Sequence, residues 1–259
     1  MTRLAALLLL LATPAVAAPL RVASLNLCSD DYALLLAAPG QLVSVSRLGA
    51  DAQESALAAR AAGLHRNRGR VTDVVALAPD LVLTSGGDPN AAASARRLGI
   101  RVVELPQPQT LAAVRANIRR AGAALGREAA AEAAVAAFDA ALGPAPAGPV
   151  SALLVSGGGL TIAPDGLAAR YLRHAGLVQQ AVPRGSVSLE RLLADPPMVL
   201  VTGDYHPGQM SLNQSWLAHP ALAALPARVR RLHTDGRVWT CLGPSLAPEI
   251  ARLRQEVAR

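Results

Sequence analysis

The sequence has no lysine, only two cysteines and very few aromatic residues among its 259 positions. Two cysteines cannot build a disulfide-rich scaffold or a zinc ribbon. Aromatic residues are 2% of the chain, which argues against the stacking platforms that hold single-stranded nucleic acid. Charged residues are also sparse, at 17% against 52% hydrophobic residues. This composition excludes a disordered chain and is sufficient for one large domain or two lobes.

Arginine takes the place of the missing lysine, and the formal net charge is +7. The arginines are scattered along the chain and form no basic stripe, so we expect no nucleic-acid partner. A basic chain does favour an anionic ligand or an anionic surface.

The first 17 residues have the pattern of a secretory signal peptide. Arg3 precedes an apolar run over residues 4–12, and an Ala-Val-Ala triplet ends at Ala17; a charged start, a short apolar core and a small-residue site are typical of such signals. The run is too short to span a membrane. We therefore predict cleavage after Ala17 and export to the periplasm, an oxidising compartment in which two cysteines can form a disulfide.

Beyond the signal, the hydrophobic pattern predicts an α/β fold with two lobes of mainly parallel sheet. Strand and helix patterns alternate over residues 18–109 and again over residues 144–259, which is typical of parallel sheets with helical crossovers. Between them, apolar residues recur at three and four over residues 110–142, which predicts one long helix. The sequence therefore predicts two lobes, with residues 110–143 as the linking helix.

An internal repeat supports this plan. Residues 72–84 match residues 190–202, with Pro79 paired to Pro197 and Thr84 to Thr202 at a constant offset of 118 (197 − 79 and 202 − 84). Each unit is a short helix, a proline stop and a buried strand, so we expect the two lobes to share one architecture.

The candidate ligand cleft follows from the ends of the predicted strands. In open parallel sheets, ligands bind at the carboxyl ends of the strands. Five loops occupy these ends: residues 26–31, 85–90, 157–166, 203–210 and 236–244. They carry the candidate ligand-binding residues, which are Asn26, Cys28, Asp88, Tyr205, His206, Trp239 and Cys241.

Three interpretations of Cys28 and Cys241 remain open at the level of sequence. They could form a disulfide between the lobes, act as a reduced pair that binds a soft metal or reacts as thiols, or be two small apolar side chains with no joint role. Disulfide formation needs Cα atoms within about 7 Å. A zinc site is disfavoured because the chain has no CxxC motif and no histidine pair at ligand spacing.

Motifs for catalysis are missing. Ser156 precedes three glycines without a G-x-S-x-G elbow, and without lysine the glycine run cannot be a Walker loop. We therefore predict a binding protein without a resident cofactor or metal, and not an enzyme. The alternative hypothesis is a thiol-dependent periplasmic enzyme that uses Cys28 and Cys241.

Several segments, in this order, resemble substrate-binding proteins of the ABC import class for iron-siderophores, haem and vitamin B12. They are residues 21–30, 75–82, 98–103, 187–193 and 239–244. The resemblance implies two α/β lobes bridged by one long helix, with the ligand held between them. It also implies a monomer that delivers its ligand to a membrane permease and its ATPase subunit at the inner membrane.

The resemblance further implies one docking acid on each lobe, which meets arginines of the permease. Glu190 matches the lobe-two position, whereas Thr72 occupies the lobe-one position. Neighbouring Asp73 is the candidate substitute. The implied ligand is a metal chelate, with corrinoid (cobalamin) and ferric siderophore ranked nearly level and haem behind them.

Overall fold

The structure is a computed structural model that describes residues 20–86, 89–204 and 211–259. The predicted signal peptide lies outside these ranges. No helix within them is both long and apolar enough to cross a membrane.

Lobe one is built on a five-stranded parallel sheet with the strand order β3-β2-β1-β4-β5. Its strands are β1 (Val22–Ser24), β2 (Leu42–Ser46), β3 (His65–Asn67), β4 (Leu81–Ser85) and β5 (Arg101–Leu105). Helices α1 (Leu27–Leu36) and α2 (Pro89–Arg97) connect strands of this sheet. The central strands β1 and β4 consist of fully buried residues, as expected for a parallel sheet covered on both faces.

The linking segment differs from its prediction. The single helix predicted over residues 110–142 is two helices, α3 (Leu111–Leu125) and α4 (Glu128–Leu142). Gly126 ends α3 in the left-handed conformation, at φ +63°, which glycine adopts without steric cost. The chain then reverses direction. Ion pairs between the two helices show this, since Arg115 pairs with Asp139 and Arg119 with Glu132. The bridge is therefore an antiparallel helical hairpin.

Lobe two repeats the plan with four parallel strands in the order β7-β6-β8-β9. The strands are β6 (Val150–Val155), β7 (Leu177–Gln179), β8 (Val199–Asp204) and β9 (Arg230–Asp235). The helices are α5 (Leu167–His174), α6 (Leu189–Ala194), α7 (Leu212–Leu217), α8 (Pro220–Ala223) and α9 (Leu246–Val257). The sequence prediction of an α/β fold with two mainly parallel sheets is confirmed.

The repeat of the sequence is also a repeat of position in the fold. Strand β4 lies between β1 and β5, and β8 lies between β6 and β9. A short helical segment precedes each of them: two 3-10 turns over residues 71–73 and 75–77 in lobe one, and α6 in lobe two.

The largest of three hydrophobic core clusters in the described residues runs through both lobes. It includes Tyr32 of lobe one, Phe138 and Leu142 of α4, and Tyr171 and Leu246 of lobe two. The helical hairpin is thus packed into the core between the lobes, with α4 next to α9.

Candidate functional site

Asn26 closes the carboxyl edge of the lobe-one sheet. The predicted loop over residues 26–31 is in fact the start of α1, with Asn26 as its N-cap. Its side-chain oxygen accepts from the Ser29 backbone N–H at 2.9 Å, and its amide donates to the Ser85 carbonyl at 2.9 Å. This cap stabilises the helix start and joins the ends of β1 and β4. The described contacts of the Asn26 side chain are therefore structural.

Cys28 and Cys241 form a disulfide, with a Cα–Cα distance of 5.2 Å. Cys28 lies in the first turn of α1, and Cys241 lies between the 3-10 turn of residues 236–239 and α9. The bond therefore connects lobe one to lobe two. Neither described cysteine is a free thiol, which removes the nucleophile that the thiol-enzyme hypothesis requires.

A buried carboxylate adjoins this disulfide. Asp31 of α1 accepts from the Ser245 backbone N–H of lobe two at 3.4 Å. Gly243 makes room for it, since a Cβ at that position would lie 2.2 Å from Asp31 Oδ2. Burial raises the pKa of Asp31 to about 6. Within lobe two, the Tyr171 hydroxyl donates to the carbonyl of the same Gly243 at 3.1 Å.

The main candidate ligand site is a cavity of about 420 Å³ at the carboxyl ends of β6, β8 and β9. Its lining comes from three of the predicted cleft loops and from the start of α7. The lining includes the apolar residues Leu154, Leu160, Ile162 and Trp239 and the polar residues Asn213 and Thr240. Of the predicted site residues, the structure places Trp239 in this wall, where its indole N–H donates to the Thr234 hydroxyl at 2.9 Å.

The three consecutive glycines of the 157–166 loop form part of this cavity and of its support. Gly158 and Gly159 both have φ +72°, a conformation that other residues rarely adopt. A Cβ on Gly157 would lie 3.0 Å from the Asn213 carbonyl oxygen, and one on Gly159 would lie 2.3 Å from the Val187 carbonyl oxygen. The glycines thus let α7 and the strand-like segment around Val187 approach the end of β6.

A second cavity, of about 460 Å³, lies beside the first and reaches lobe one at Ala52 and Gln53. Its wall is charged, and both of its arginines pair with acids of the same wall. Arg237 Nη2 lies 2.7 Å from Asp235 Oδ2, and Arg252 Nη2 lies 2.6 Å from Glu249 Oε1. Arg237 also donates to the Ala52 carbonyl, which adds a polar contact between the lobes.

The two predicted docking acids have different surroundings. Glu190 is exposed in the first turn of α6, and hydrogen bonds from its own backbone N–H and from the Ser188 hydroxyl lower its pKa. Asp73 is only 20% exposed; it accepts from the Arg68 backbone N–H at 2.8 Å and lies 3.5 Å from Arg70. The acid of lobe two faces solvent, whereas that of lobe one is held by its own segment.

Three of the predicted ligand-binding residues, Asp88, Tyr205 and His206, lie outside the described ranges. Within those ranges no cluster of three or more His, Cys, Asp or Glu side chains could hold a metal ion.

Sequence reasoning missed Asn213 and the whole of α7. The pattern Ser211-x-x-Gln214 is typical of a helix N-terminus and could have revealed it, since the Ser211 hydroxyl accepts from the Gln214 backbone N–H.

Comparison with known proteins gives three kinds of result. A family model described as periplasmic binding protein matches residues 22–230. A periplasmic haem-binding protein from Pseudomonas aeruginosa is 25% identical, with a TM-score of 0.67 and 92% of each chain covered. No curated protein matches the sequence.

Two further solved structures are similar in fold. HutB, a periplasmic haem-binding protein of Vibrio cholerae, has a TM-score of 0.72 at 20% identity, covering 93% of this chain and 99% of its own. RhuT, a periplasmic haem-binding protein from Roseiflexus sp. RS-1, has a TM-score of 0.68 at 22% identity, covering 93% of this chain and 100% of its own.

Proposed function

Because the chain belongs to the periplasmic binding protein family, in its iron, haem and vitamin B12 class, we propose that it is the solute-binding component of an ABC importer for a metal chelate. The observation that carries this proposal is the cavity at the carboxyl ends of β6, β8 and β9, beside the contact between the lobes. A volume of about 420 Å³ suits a small molecule.

The chelate is a corrinoid, a ferric siderophore or haem. Apolar side chains and one indole ring form much of the wall, which suits a ligand with a broad apolar face. The similar proteins of Pseudomonas aeruginosa and Vibrio cholerae are described as haem-binding, and this supports including haem beside the two chelates that the sequence favoured.

The proposed partners are a membrane permease and its ATPase subunit. The protein would be exported by the signal of residues 1–17, act as a periplasmic monomer, and dock through Glu190 of lobe two and Asp73 of lobe one. Exposure of Glu190 and its lowered pKa keep a negative charge available for an arginine of the permease.

Ligand binding can be tested with the two tryptophans as a matched pair. Trp239 lines the cavity, whereas Trp216 of α7 packs against Gly159 and the lobe-two core. Cobalamin, haem and a set of ferric siderophores are titrated while absorbance difference spectra and tryptophan fluorescence are recorded. We expect one chelate to bind, Trp239→Leu to weaken it about tenfold or more, and Trp216→Leu to change its affinity little.

The contradicting outcomes are equally specific. Binding of none of these chelates by the correctly folded protein would refute the proposed function. Equal losses of affinity in the two variants would show that the ligand does not contact the Trp239 wall.

A further inference from the structure

The lobe-two cavity has an apolar wall that is partly exposed to solvent. Leu160 is 54% exposed at the cavity wall although it is a large aliphatic residue. The indole of Trp239 uses its N–H on Thr234, so the ring offers a ligand only its apolar surface. Leu154 and Ile162 extend this wall. A ligand that covers these residues removes apolar surface from water, which favours binding.

Most polar groups of the same wall are already paired within the protein. The Thr161 hydroxyl donates to the Leu154 carbonyl at 2.6 Å and accepts from the Gln179 amide at 2.8 Å. The Gln214 amide donates to Asp204 at 2.8 Å. In the described part of the chain, the side chains of Asn213 and Thr240 have no hydrogen-bond partner, and both are exposed at this wall. They are the groups available to a polar edge of the ligand.

The charged side chains of the described lining residues are grouped in the neighbouring cavity. One 3-10 turn contributes to both cavities: its Arg237 lines the charged cavity, and its Trp239 lines the apolar one. Arg237 is engaged by Asp235, and Arg252 by Glu249. The lining residues of the apolar cavity that lie in the described ranges are all uncharged.

From this arrangement we propose that the part of the chelate that enters lobe two is uncharged, a flat metal macrocycle whose edge carries amide or hydroxyl groups toward Asn213 and Thr240. This inference rests on the proposed function and specifies its ligand. An amide can exchange hydrogen bonds with Asn213 and Thr240. A carboxylate at the same place would lose its hydration without gaining a cation from the described lining, which disfavours it.

The test compares macrocycles with the same ring and metal whose peripheral groups differ in charge. One pair is dicyanocobinamide, whose edge carries amides, and its fully hydrolysed carboxylic-acid counterpart; the other is haemin and its dimethyl ester. Affinity is measured by tryptophan fluorescence and calorimetry at fixed pH and salt. We expect the uncharged member of the pair that binds to be bound at least about tenfold more tightly.

A variant pair locates the effect in this wall. Leu160 is exposed, so its replacement should leave the fold intact, which circular dichroism can verify. Leu160→Arg supplies a cation and should improve binding of the carboxylated macrocycle about tenfold, whereas Leu160→Gln should not.

The outcomes separate this inference from the proposed function. Equal or tighter binding of the carboxylated form by the parent protein would overturn the inference and leave the function standing. An unchanged preference in Leu160→Arg would overturn the placement of the ligand against this wall. Binding of no chelate of any kind would overturn both.

Discussion

Two consecutive acids, Asp30 and Asp31, are buried near the start of α1. Asp30 accepts from the backbone N–H of Ser46 at 3.2 Å and from its hydroxyl, but no cation faces it among its described contacts. Burial raises the pKa of Asp30 to about 7, against the smaller opposing effect of these hydrogen bonds. Each acid is therefore most compatible with the fold when it is protonated.

A pH dependence of stability follows. The folded-state pKa of Asp30 lies above its unfolded value, so its favourable contribution is complete below about pH 4 and is lost as the pH rises to about 7. Asp31 also stabilises the fold less as the pH rises, and its contribution is lost by about pH 6. In urea unfolding, Asp30→Asn should be more stable than the parent at pH 8, by about 2–4 kcal/mol. It should match the parent more closely at pH 5.

The variant Asp31→Asn supplies the comparison, since its gain should already be present at pH 7. A parent protein whose unfolding free energy rises between pH 5 and pH 8, with no change in this trend in Asp30→Asn, would contradict the assignment.

Glu190 should matter for docking and not for ligand binding. The side chain is exposed and is not among the residues that line the lobe-two cavity. Glu190→Gln keeps its shape and removes its charge, so binding to the permease–ATPase complex in nanodiscs should weaken about tenfold or more. Asp73→Asn should have the smaller effect, because Arg68 and Arg70 already engage that carboxylate.

Ligand titration of the same variants is the control. Docking at the parental level together with a loss of ligand affinity in Glu190→Gln would show that this acid belongs to the cleft.

At the scale of elements, the glycines that follow β6 determine how closely α7 and the strand-like segment around Val187 can pack against the end of β6. Gly159 and Gly185 both have positive φ, at +72° and +66°. A Cβ on Gly159 would meet the Val187 carbonyl oxygen at 2.3 Å, whereas a Cβ on Gly185 would meet nothing closer than the Thr161 carbonyl oxygen at 3.9 Å. A larger residue would therefore be strained by the positive φ at both positions, but only at Gly159 would its Cβ also clash with the backbone.

Alanine substitutions at Gly159 and Gly185 separate the cost of the left-handed backbone from the cost of a steric clash of the Cβ. Gly185→Ala should cost about 1 kcal/mol of unfolding free energy from the left-handed conformation alone. Gly159→Ala should cost about 3 kcal/mol or more, because the backbone around Val187 must also move. Chemical denaturation of both variants measures the difference, and equal losses would contradict the packing described for this loop.

The helical hairpin is the other element that places the site. Its second helix reaches lobe two, where Arg254 of α9 donates to the Ala141 carbonyl at 3.0 Å and the His174 ring donates to the Gly143 carbonyl at 2.8 Å. These bonds satisfy carbonyls at the end of α4 that have no partner within the helix. The end of the bridge is thus fixed to lobe two.

At the scale of the whole molecule, three features hold the lobes together: the disulfide, the common core and the polar contacts of Asp31 and Arg237. None of the three is a flexible strand pair of the kind that allows wide hinge motion. We therefore expect little change in the radius of gyration when the ligand binds, as measured by small-angle scattering. A large compaction would contradict this.

Removal of the disulfide should loosen the lobes and lower stability. The bond closes a loop across a sequence separation of 213 residues, so Cys28→Ser with Cys241→Ser should lose about 2–5 kcal/mol of unfolding free energy. Treatment with a reductant should lower the melting temperature of the parent and leave that of the double variant unchanged. Equal melting temperatures of parent and double variant under oxidising conditions would show that the bond does not form.

Local sequence signals are sufficient to predict the α/β order, the repeat of architecture between the lobes and the loops at the carboxyl ends of the strands. Hydrophobic periodicity and proline or glycine stops act over a few residues, and the match at offset 118 can be seen without a structure. These signals placed Trp239 on a cleft loop, and the structure puts it in the cavity wall.

Other features depend on contacts between distant parts of the chain. The helical period continues on both sides of Gly126, so only packing of α3 against α4 shows that the chain reverses there. Nothing local distinguishes a disulfide from two free thiols 213 residues apart, because the Cα–Cα distance of 5.2 Å results from how the lobes meet. Likewise, the Asn26 amide reaches the Ser85 carbonyl only because β1 and β4 lie side by side. Asn213 reaches the cavity only because α7 packs against the glycines that follow β6.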